Sequence, residues 1–409
     1  MREITTPPTA GLPLQLTDLL PWPAGSFAQQ LAQWLNVSEV QLECSGTSAL
    51  MVALRVLKAL KPDRLEVIAP AYTCPLVALA IAQCGLRLRL CDLRADALDM
   101  DPVCLQQLCS DNTLAVLPTH LCGRVADVDA ALHCARAVGA YVIEDAAQAL
   151  GARVDGATVG LKGDIGFFSL AVGKGLSTFE GGVLVAREPE MRSAMQAVGT
   201  RTRFSLWWEL RRSVELLGYA ALYRPSGLRL AYGKPLAASL ARGDWVEAAG
   251  DDFDDDIPQH KLGLWRQAVG VRALRRLKDF QQQTGEQAQT RIAQLKACGL
   301  EVVEDAAAHE RGHAQGVWPV ILLRLPHQKI RDAVLQAHWG DGSGLSLPFV
   351  HVLPDYGRYD HVLTAARHDD VAQARDWAQR LLAISNSPWL DDARFARLLS
   401  TLQRAVAAS

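Results

Sequence analysis

Between residues 40 and 186 the chain repeats one pattern: a run of five or six mostly apolar residues, then a longer segment with helical periodicity. The runs are RLEVIA, LRLRLC, LAVLP, AYVIE, IGFFSL and GVLVA, and the segments between them include PLVALAIAQCG and VDAALHCARAVG. Such alternation predicts strands joined by helical crossovers in a mainly parallel sheet. The richness of the runs in Val, Leu and Ile predicts helices on both faces of that sheet. Val67 to Leu86 is uncharged over 20 residues, long enough to suggest a membrane span. Pro70 and Pro75 interrupt it, so the pattern predicts a buried strand, RLEVIAP, followed by a helix.

The rhythm breaks at residues 201–250, a Trp-rich and Arg-rich stretch, and the acidic run DDFDDD at 251–256 then leads to Pro258. Consecutive carboxylates rarely converge on one ion, so this run reads as a solvated linker rather than a metal site. From Leu262 onward LGLWRQAVGVRALRRLKDFQQQTGEQAQTRIAQLKACG predicts a long helix, interrupted near Gly270. VWPVILLRL and a terminal helix after Pro388 complete a small α+β domain. The organisation expected is an N-terminal segment (1–39), a large α/β/α domain (40–200), an insertion and linker (201–257), and a long helix with a C-terminal small domain (258–409). No internal repeat or low-complexity tract is visible.

Composition changes this picture in two respects. The charge balance of 42 basic against 44 acidic side chains removes the global electrostatic reason to expect a nucleic-acid partner. The nine cysteines are scattered and contain no C-x-x-C pair. They read as thiols of a reducing compartment, and the cytoplasm is the expected location. The prolines of MREITTPPTAGLPLQL argue against a secretory signal.

Three segments carry candidate chemistry. In CSGTSALMVALRVLKAL, Ser45, Gly46 and Thr47 precede an amphipathic helix. A helix N-terminus offers unpaired N–H groups to a phosphate, and Gly46 permits close approach; simple N-capping by Ser or Thr explains the same residues. AYVIEDAAQALGA places Asp145 and Gln148 just past a buried strand, where open α/β sheets hold ligands, although Asp145 can equally cap a helix and Glu144 stands beside it. In IGFFSLAVGKGLSTFEGGVLVA, Ser169, Lys174 and the Gly181–Gly182 pair lie between two apolar strands. A lone lysine is usually a solvated charge, but Lys174 sits among Val172, Gly173, Gly175 and Leu176, a setting that can hold an amine partly out of water.

Together these segments resemble the DegT/DnrJ/EryC1/StrS family, the sugar-aminotransferase branch of the fold-type-I pyridoxal phosphate enzymes. The resemblance runs in family order through SGTSAL, VIAPAYTCPLVALAIAQCG, CDLRADALDMDP, AVLPTHLCGRVADVDA, VIEDAAQALGA and GDIGFFSLAVGKGLSTFEGG, and more weakly through QAVGVRALRRLKDF. It implies a fold-type-I transferase and a homodimer. Lys174 would carry pyridoxal 5'-phosphate and move the substrate proton, and Asp145 would face the pyridine nitrogen. Gln148 would sit near the phenolic oxygen, and Ser169 with Gly46 and Thr47 would hold the phosphate. No metal is implied. His120, in THLCGR, is either a packed structural residue or part of the active site.

The implied activity moves an amino group from an amino acid, glutamate by resemblance, to a keto-sugar, nucleotide-linked, in polysaccharide biosynthesis. Amination of a different carbonyl metabolite is the alternative, and a fold-retaining membrane-associated scaffold with little turnover a further one. Lys174 argues against that scaffold and against the related sugar dehydratases, where histidine takes this position. The chain departs from the family at Cys74, where an aromatic often follows the Thr of P-x-Y-T. It departs again at Gln259 and Lys261, which align with an Asn-x-Arg whose Asn reaches the neighbouring subunit's phosphate, and at ISNSPWLDD, which replaces Leu-Pro-x-His-Pro.

The insertion has no counterpart in typical members. On a helical wheel Leu206, Leu210, Val214, Leu217 and Ala221 share one face, with Trp207 at its edge and Glu209, Arg212 and Glu215 away from it. Residues 201–242 carry eight basic and two acidic side chains, 8 − 2 = +6, in a chain of net −2. The apolar face can pack on the protein's own body with the arginines merely solvated. A basic lid can instead hold a substrate diphosphate, or the helix can lie on an anionic membrane. Between the last two, the arginines favour the lid over peripheral membrane contact.

Overall fold

The computed structural model describes residues 9–199, 202–305, 313–341 and 343–407. Its central sheet contains β1 (Gln41–Glu43), β2 (Glu66–Pro70), β3 (Arg87–Cys91), β4 (Thr113–Val116), β5 (Tyr141–Asp145), β8 (Ile165–Ser169) and β9 (Gly182–Val185), in the order β1-β9-β8-β5-β4-β2-β3. β3, β2, β4, β5 and β8 pair in parallel, while β9 runs antiparallel to β8 and β1. Each of the six expected runs lies in this sheet. All residues of β4, β8 and β9 are buried, as both-face coverage requires.

The crossovers and flanking helices are α1 (Phe27–Leu35), α2 (Gly46–Leu60), α3 (Pro75–Gln83), α4 (Pro102–Leu108), α5 (Val128–Ala137) and α6 (Pro189–Gly199). Local chemistry sets their starts. Ser45 Oγ accepts from the Ser48 amide at 3.0 Å at the head of α2, Asp127 accepts from the Asp129 and Ala130 amides at α5, and Pro75 occupies the first turn of α3. The uncharged stretch from Val67 to Leu86 divides into β2 and α3 as expected. No helix among the described residues is long and apolar enough to cross a membrane.

The insertion folds as α7 (Leu206–Leu222), α8 (Pro225–Leu228), a π-helical turn (Arg229–Gly233), α9 (Lys234–Ala241) and α10 (Trp245–Ala249). The long helix, α11 (Leu264–Ala297), runs without interruption at Gly270. A Cβ there would come within 2.7 Å of the Phe27 ring, so the glycine is a notch for α1 and not a break. The C-terminal part carries an antiparallel sheet of β10 (Glu301–Val303), β12 (Val320–Arg324), β14 (Leu381–Ser385) and β13 (Leu345–Ser346), in that order. α12 (Gln328–His338), α13 (Ala372–Arg380) and α14 (Asp392–Ala407) pack with it. A third, small sheet joins β11 (Ala314–Gln315), β6 (Arg153–Val154) and β7 (Ala157–Thr158).

The acidic run is not uniformly solvated. Asp251 is buried, its carboxylate accepts from the Tyr356 hydroxyl at 2.5 Å and the Val350 amide at 2.8 Å, and its carbonyl accepts from the Tyr359 hydroxyl. Tyrosines from the C-terminal region therefore anchor the start of the segment read as a linker. Asp254 and Asp255 stay exposed beside Arg358 and His361.

Candidate active site

The predicted residues gather at the carboxyl edge of the parallel strands. β5 ends on Asp145 and β8 on Ser169, while α2 begins at Gly46 in the adjacent crevice. Gly46 and Ser169 touch: a Cβ on Gly46 would sit 2.9 Å from the Ser169 Cβ. Ser169 is buried, and its Oγ accepts from the Ala171 amide at 3.3 Å. Thr47 follows on the first turn of α2, so these residues surround one helix N-terminus, where N–H groups and the helix dipole favour an anion.

Lys174 stands in the loop after β8 between two glycines of positive φ, Gly173 (+80°) and Gly175 (+82°). Those angles turn the chain sharply twice. The loop is covered from outside. Leu12 N–H donates to the Gly175 carbonyl at 2.8 Å, Gly11 N–H donates to the Tyr223 hydroxyl at 3.2 Å, and Thr9 packs against Gly173.

Asp145 is buried. Its Oδ1 accepts from the Ala147 amide at 3.0 Å, its backbone N–H donates to the Pro118 carbonyl, and its carbonyl accepts from the His120 amide. Burial pushes the Asp145 carboxyl above its usual range, and the Ala147 amide and the charge of Lys174 oppose that shift. Glu144, one residue earlier, points into a different environment. Burial also works against its charge. Hydrogen bonds with His120 (3.1 Å) and from the amides of Gly163 (2.6 Å) and Gly160 (2.8 Å) outweigh that penalty and hold it below the ordinary carboxylate range.

His120 takes the structural role. It is 1% exposed, Nε2 lies on Glu144, and Nδ1 accepts from the Ala126 amide at 3.0 Å, so both ring nitrogens are engaged. A cleft of about 930 Å³ lies on this side, lined by His120, Asp99, Asp129, His133, Lys162 and Arg187 and not by Lys174. Gln148 and Lys174 line a different and much smaller void of about 10 Å³, together with Ala10, Gln281 and Trp318. Gln148 accepts from the Cys122 amide at 2.6 Å.

Cys74 occupies the N-cap of α3, and the charges of Lys174 and Asp145 both reach it. Burial pushes its thiol up to about 12 against the opposing effect of Lys174, and Cys122 is pushed up to about 12 for the same reason. Both are protonated at neutral pH. Gln259 accepts from Arg55 on α2 at 2.6 Å, a contact within its own chain.

Sequence reasoning missed four contributors. Gln281 donates to the Leu150 carbonyl and reaches the void beside Lys174 from α11. Thr9 to Leu12 and Tyr223 cover the lysine loop, and Asn386 donates to the Trp318 and Thr284 carbonyls at 2.9 and 2.7 Å, tying β14 to the wall of that void. None belongs to a motif; the one available signal was Asn386 in ISNSPWLDD, a departure from the family pattern.

The donor set matches pyridoxal phosphate: an anion-binding helix end closed by Ser169, a buried carboxylate with Oδ2 left for a ring N–H, and a lysine beside both. The fit lies in these groups, not in a preformed hole of the cofactor's size.

Comparisons with known proteins agree. The chain is similar to the spore coat polysaccharide biosynthesis protein SpsC of Bacillus subtilis, 25% identical over 90% of this chain and 85% of that protein. It is 35% identical to the dTDP-3-amino-3,4,6-trideoxy-alpha-D-glucose transaminase of Streptomyces venezuelae, over 44% of this chain and 48% of the transaminase. Matches at that identity span between 34% and 48% of the relatives' own lengths. In structure it is similar to a putative sugar aminotransferase of Streptococcus pneumoniae, Spr1654, in its PMP form, with a TM-score of 0.73 at 17% identity, over 98% of this chain and 99% of the other. A model of the DegT/DnrJ/EryC1/StrS aminotransferase family matches residues 24–218, the stretch that holds every predicted site residue, and over that stretch this chain is similar to that family.

Proposed function

We propose that this protein is a pyridoxal phosphate-dependent aminotransferase that takes an amino group from an amino acid, glutamate by family resemblance, and delivers it to a nucleotide-linked keto-sugar. The observation that carries the reading is the convergence of Lys174, Asp145 and the Gly46–Ser169 helix end on one sheet edge. The saccharide relatives support the acceptor class.

The cofactor, when bound, supplies a ring that takes up the electron pair released as a substrate C–H bond breaks. The chain's residues do the rest. Gly46 and Thr47 present amides, and Ser169 a hydroxyl, to the phosphate. The Asp145 carboxylate would face the ring nitrogen and keep its proton in place. A cationic partner there offsets the burial that raises the Asp145 pKa. The Lys174 amine would hold the cofactor in the resting protein and would take up and return the proton at the substrate carbon. Gln148, held by the Cys122 amide, orients the ring's oxygen side. His120 and Glu144, bonded to each other, hold the β4–β5 edge from behind Asp145.

A homodimer in the cytoplasm completes the proposal. The nine free cysteines support a reducing compartment, and the family pattern supports the dimer. The deciding experiment is borohydride reduction of the purified yellow protein followed by peptide mapping. A pyridoxyl group on Lys174 is expected; one on another lysine, or on none, overturns the assignment.

A further inference from the structure

The helix α7 is packed inside out. Glu209 and Arg212 point at the protein: Glu209 accepts from Arg266 at 2.7 Å and from the Gly263 amide at 3.0 Å, and Arg212 meets Glu180 at 2.5 Å and Glu215 at 2.7 Å. Arg266 is fully buried, and Trp208 lies flat against His260, with ring centroids 5.8 Å apart. These polar contacts, with buried Leu216, Tyr219 and Tyr223, fasten the helix.

The opposite face carries Leu206, Trp207, Leu210, Val214 and Leu217, which are 74, 70, 57, 60 and 47% exposed, and Phe204 precedes them at 55%. At about 1.5 Å per residue the stripe is roughly 16 Å long. Neither packing on the protein's own body nor a phosphate-binding lid describes this arrangement, because the apolar stripe faces out and Arg212 is committed to Glu180 and Glu215. A contiguous apolar patch of this kind marks a contact surface.

Charge identifies the occupant. Residues 201–242 sum to +6 while the whole chain sums to −2, so the remainder carries −2 − 6 = −8. Arg203, Arg224 and Lys234 are exposed on this same segment. A second copy docked stripe to stripe would bring two +6 segments together, whereas anionic headgroups complement them. Trp207, amphipathic and exposed at the stripe, suits the depth at which a bilayer changes from headgroup to chain. The apolar surface also continues inward: Leu222 and Tyr232, 37 and 41% exposed, line a cleft of about 730 Å³ that extends to Thr9 and Val172 beside the Lys174 loop.

We propose that the outward face of α7 rests on an anionic lipid surface, holding the protein at a membrane without crossing it. The inference stands apart from the aminotransferase reading and is tested without turnover. Full-length protein is co-sedimented with vesicles of phosphatidylcholine mixed with phosphatidylglycerol, and with phosphatidylcholine alone. Pelleting is expected with the mixed vesicles, less at high salt, and reduced at least about tenfold in the Leu210→Glu/Val214→Glu double variant. Both positions are exposed, so the variant's melting temperature is expected to match the parent's, and Arg203→Glu/Arg224→Glu gives an independent reading of the charge requirement. Failure to pellet with mixed vesicles, or equal pelleting of both double variants and the parent, overturns the proposal. If Leu210→Glu/Val214→Glu instead lowers the oligomeric state in sedimentation velocity and no vesicle binding is seen, the face belongs to a second copy.

Discussion

The cofactor cradle and the insertion both bury charged groups, but to opposite ends. In the candidate cradle Asp145 is buried at the end of β5 and held by the Ala147 amide, and Lys174 stands between two glycines in the loop after β8, leaving polar atoms for a ligand. In the insertion Glu209 pairs with Arg266 of α11 and Arg212 with Glu180 and Glu215, and the apolar side chains of α7 are left over. The cradle keeps polar capacity in reserve; the insertion keeps apolar capacity in reserve. Unspent capacity of either kind marks where a molecule expects a partner.

Five changes would break or sharpen this contrast. Lys174→Ala should have the largest effect, lowering transamination by on the order of 10³-fold or more while the fold persists, as read by steady-state kinetics beside circular dichroism. On the insertion side, Glu209→Ala should cost about 3 kcal/mol in denaturant unfolding, because it strands the buried Arg266 guanidinium. Leu210→Ser, one residue on but facing out, should change stability by less than about 0.5 kcal/mol. Equal costs at the two positions would refute the inside-out assignment.

Asp145→Asn should lower turnover by on the order of 10²-fold yet raise the melting temperature of the cofactor-free protein at neutral pH. The sign follows from the raised carboxyl pKa. The parent's Asp145 does not penalise folding below pH 3.8, the ordinary value, and penalises it increasingly as pH rises through the folded-state value. The stabilisation by Asn should therefore grow from acid to neutral pH in thermal melts. Glu144 works in the other direction: its pKa is lowered, so its contribution is present above pH 4.5 and lost as pH falls through the folded-state value. Within the cradle the smallest effect is at Gly46: Gly46→Ala should cost about 1–2 kcal/mol of cofactor affinity by pressing on Ser169, measured by fluorescence titration with pyridoxal phosphate.

Much of the site was legible before any coordinates because its chemistry lies in short continuous segments. SGTSAL is itself a helix start, and EDAAQ itself a strand end, so local pattern placed Gly46, Asp145 and Gln148 with no tertiary information. His120 was harder. Only the structure could choose between its two roles, because its partners Glu144 and Ala126 are not adjacent to it in sequence. Gln281, Tyr223 and Asn386 were invisible for the same reason: each reaches the Lys174 neighbourhood from a distant element and belongs to no motif.

By itself the sequence determined the alternation of strands and helices, the extent of the sheet and the amphipathic period of α7, since each is a property of neighbouring residues and their spacing. Tertiary structure alone decided which way α7 faces, that Gly270 receives Phe27 instead of breaking α11, and that Asp251 is buried on Tyr356 and not solvated. A helical wheel measures how well two faces are separated. Which face turns inward depends on the partners the body offers, and here those were a buried arginine, a glutamate and a histidine ring.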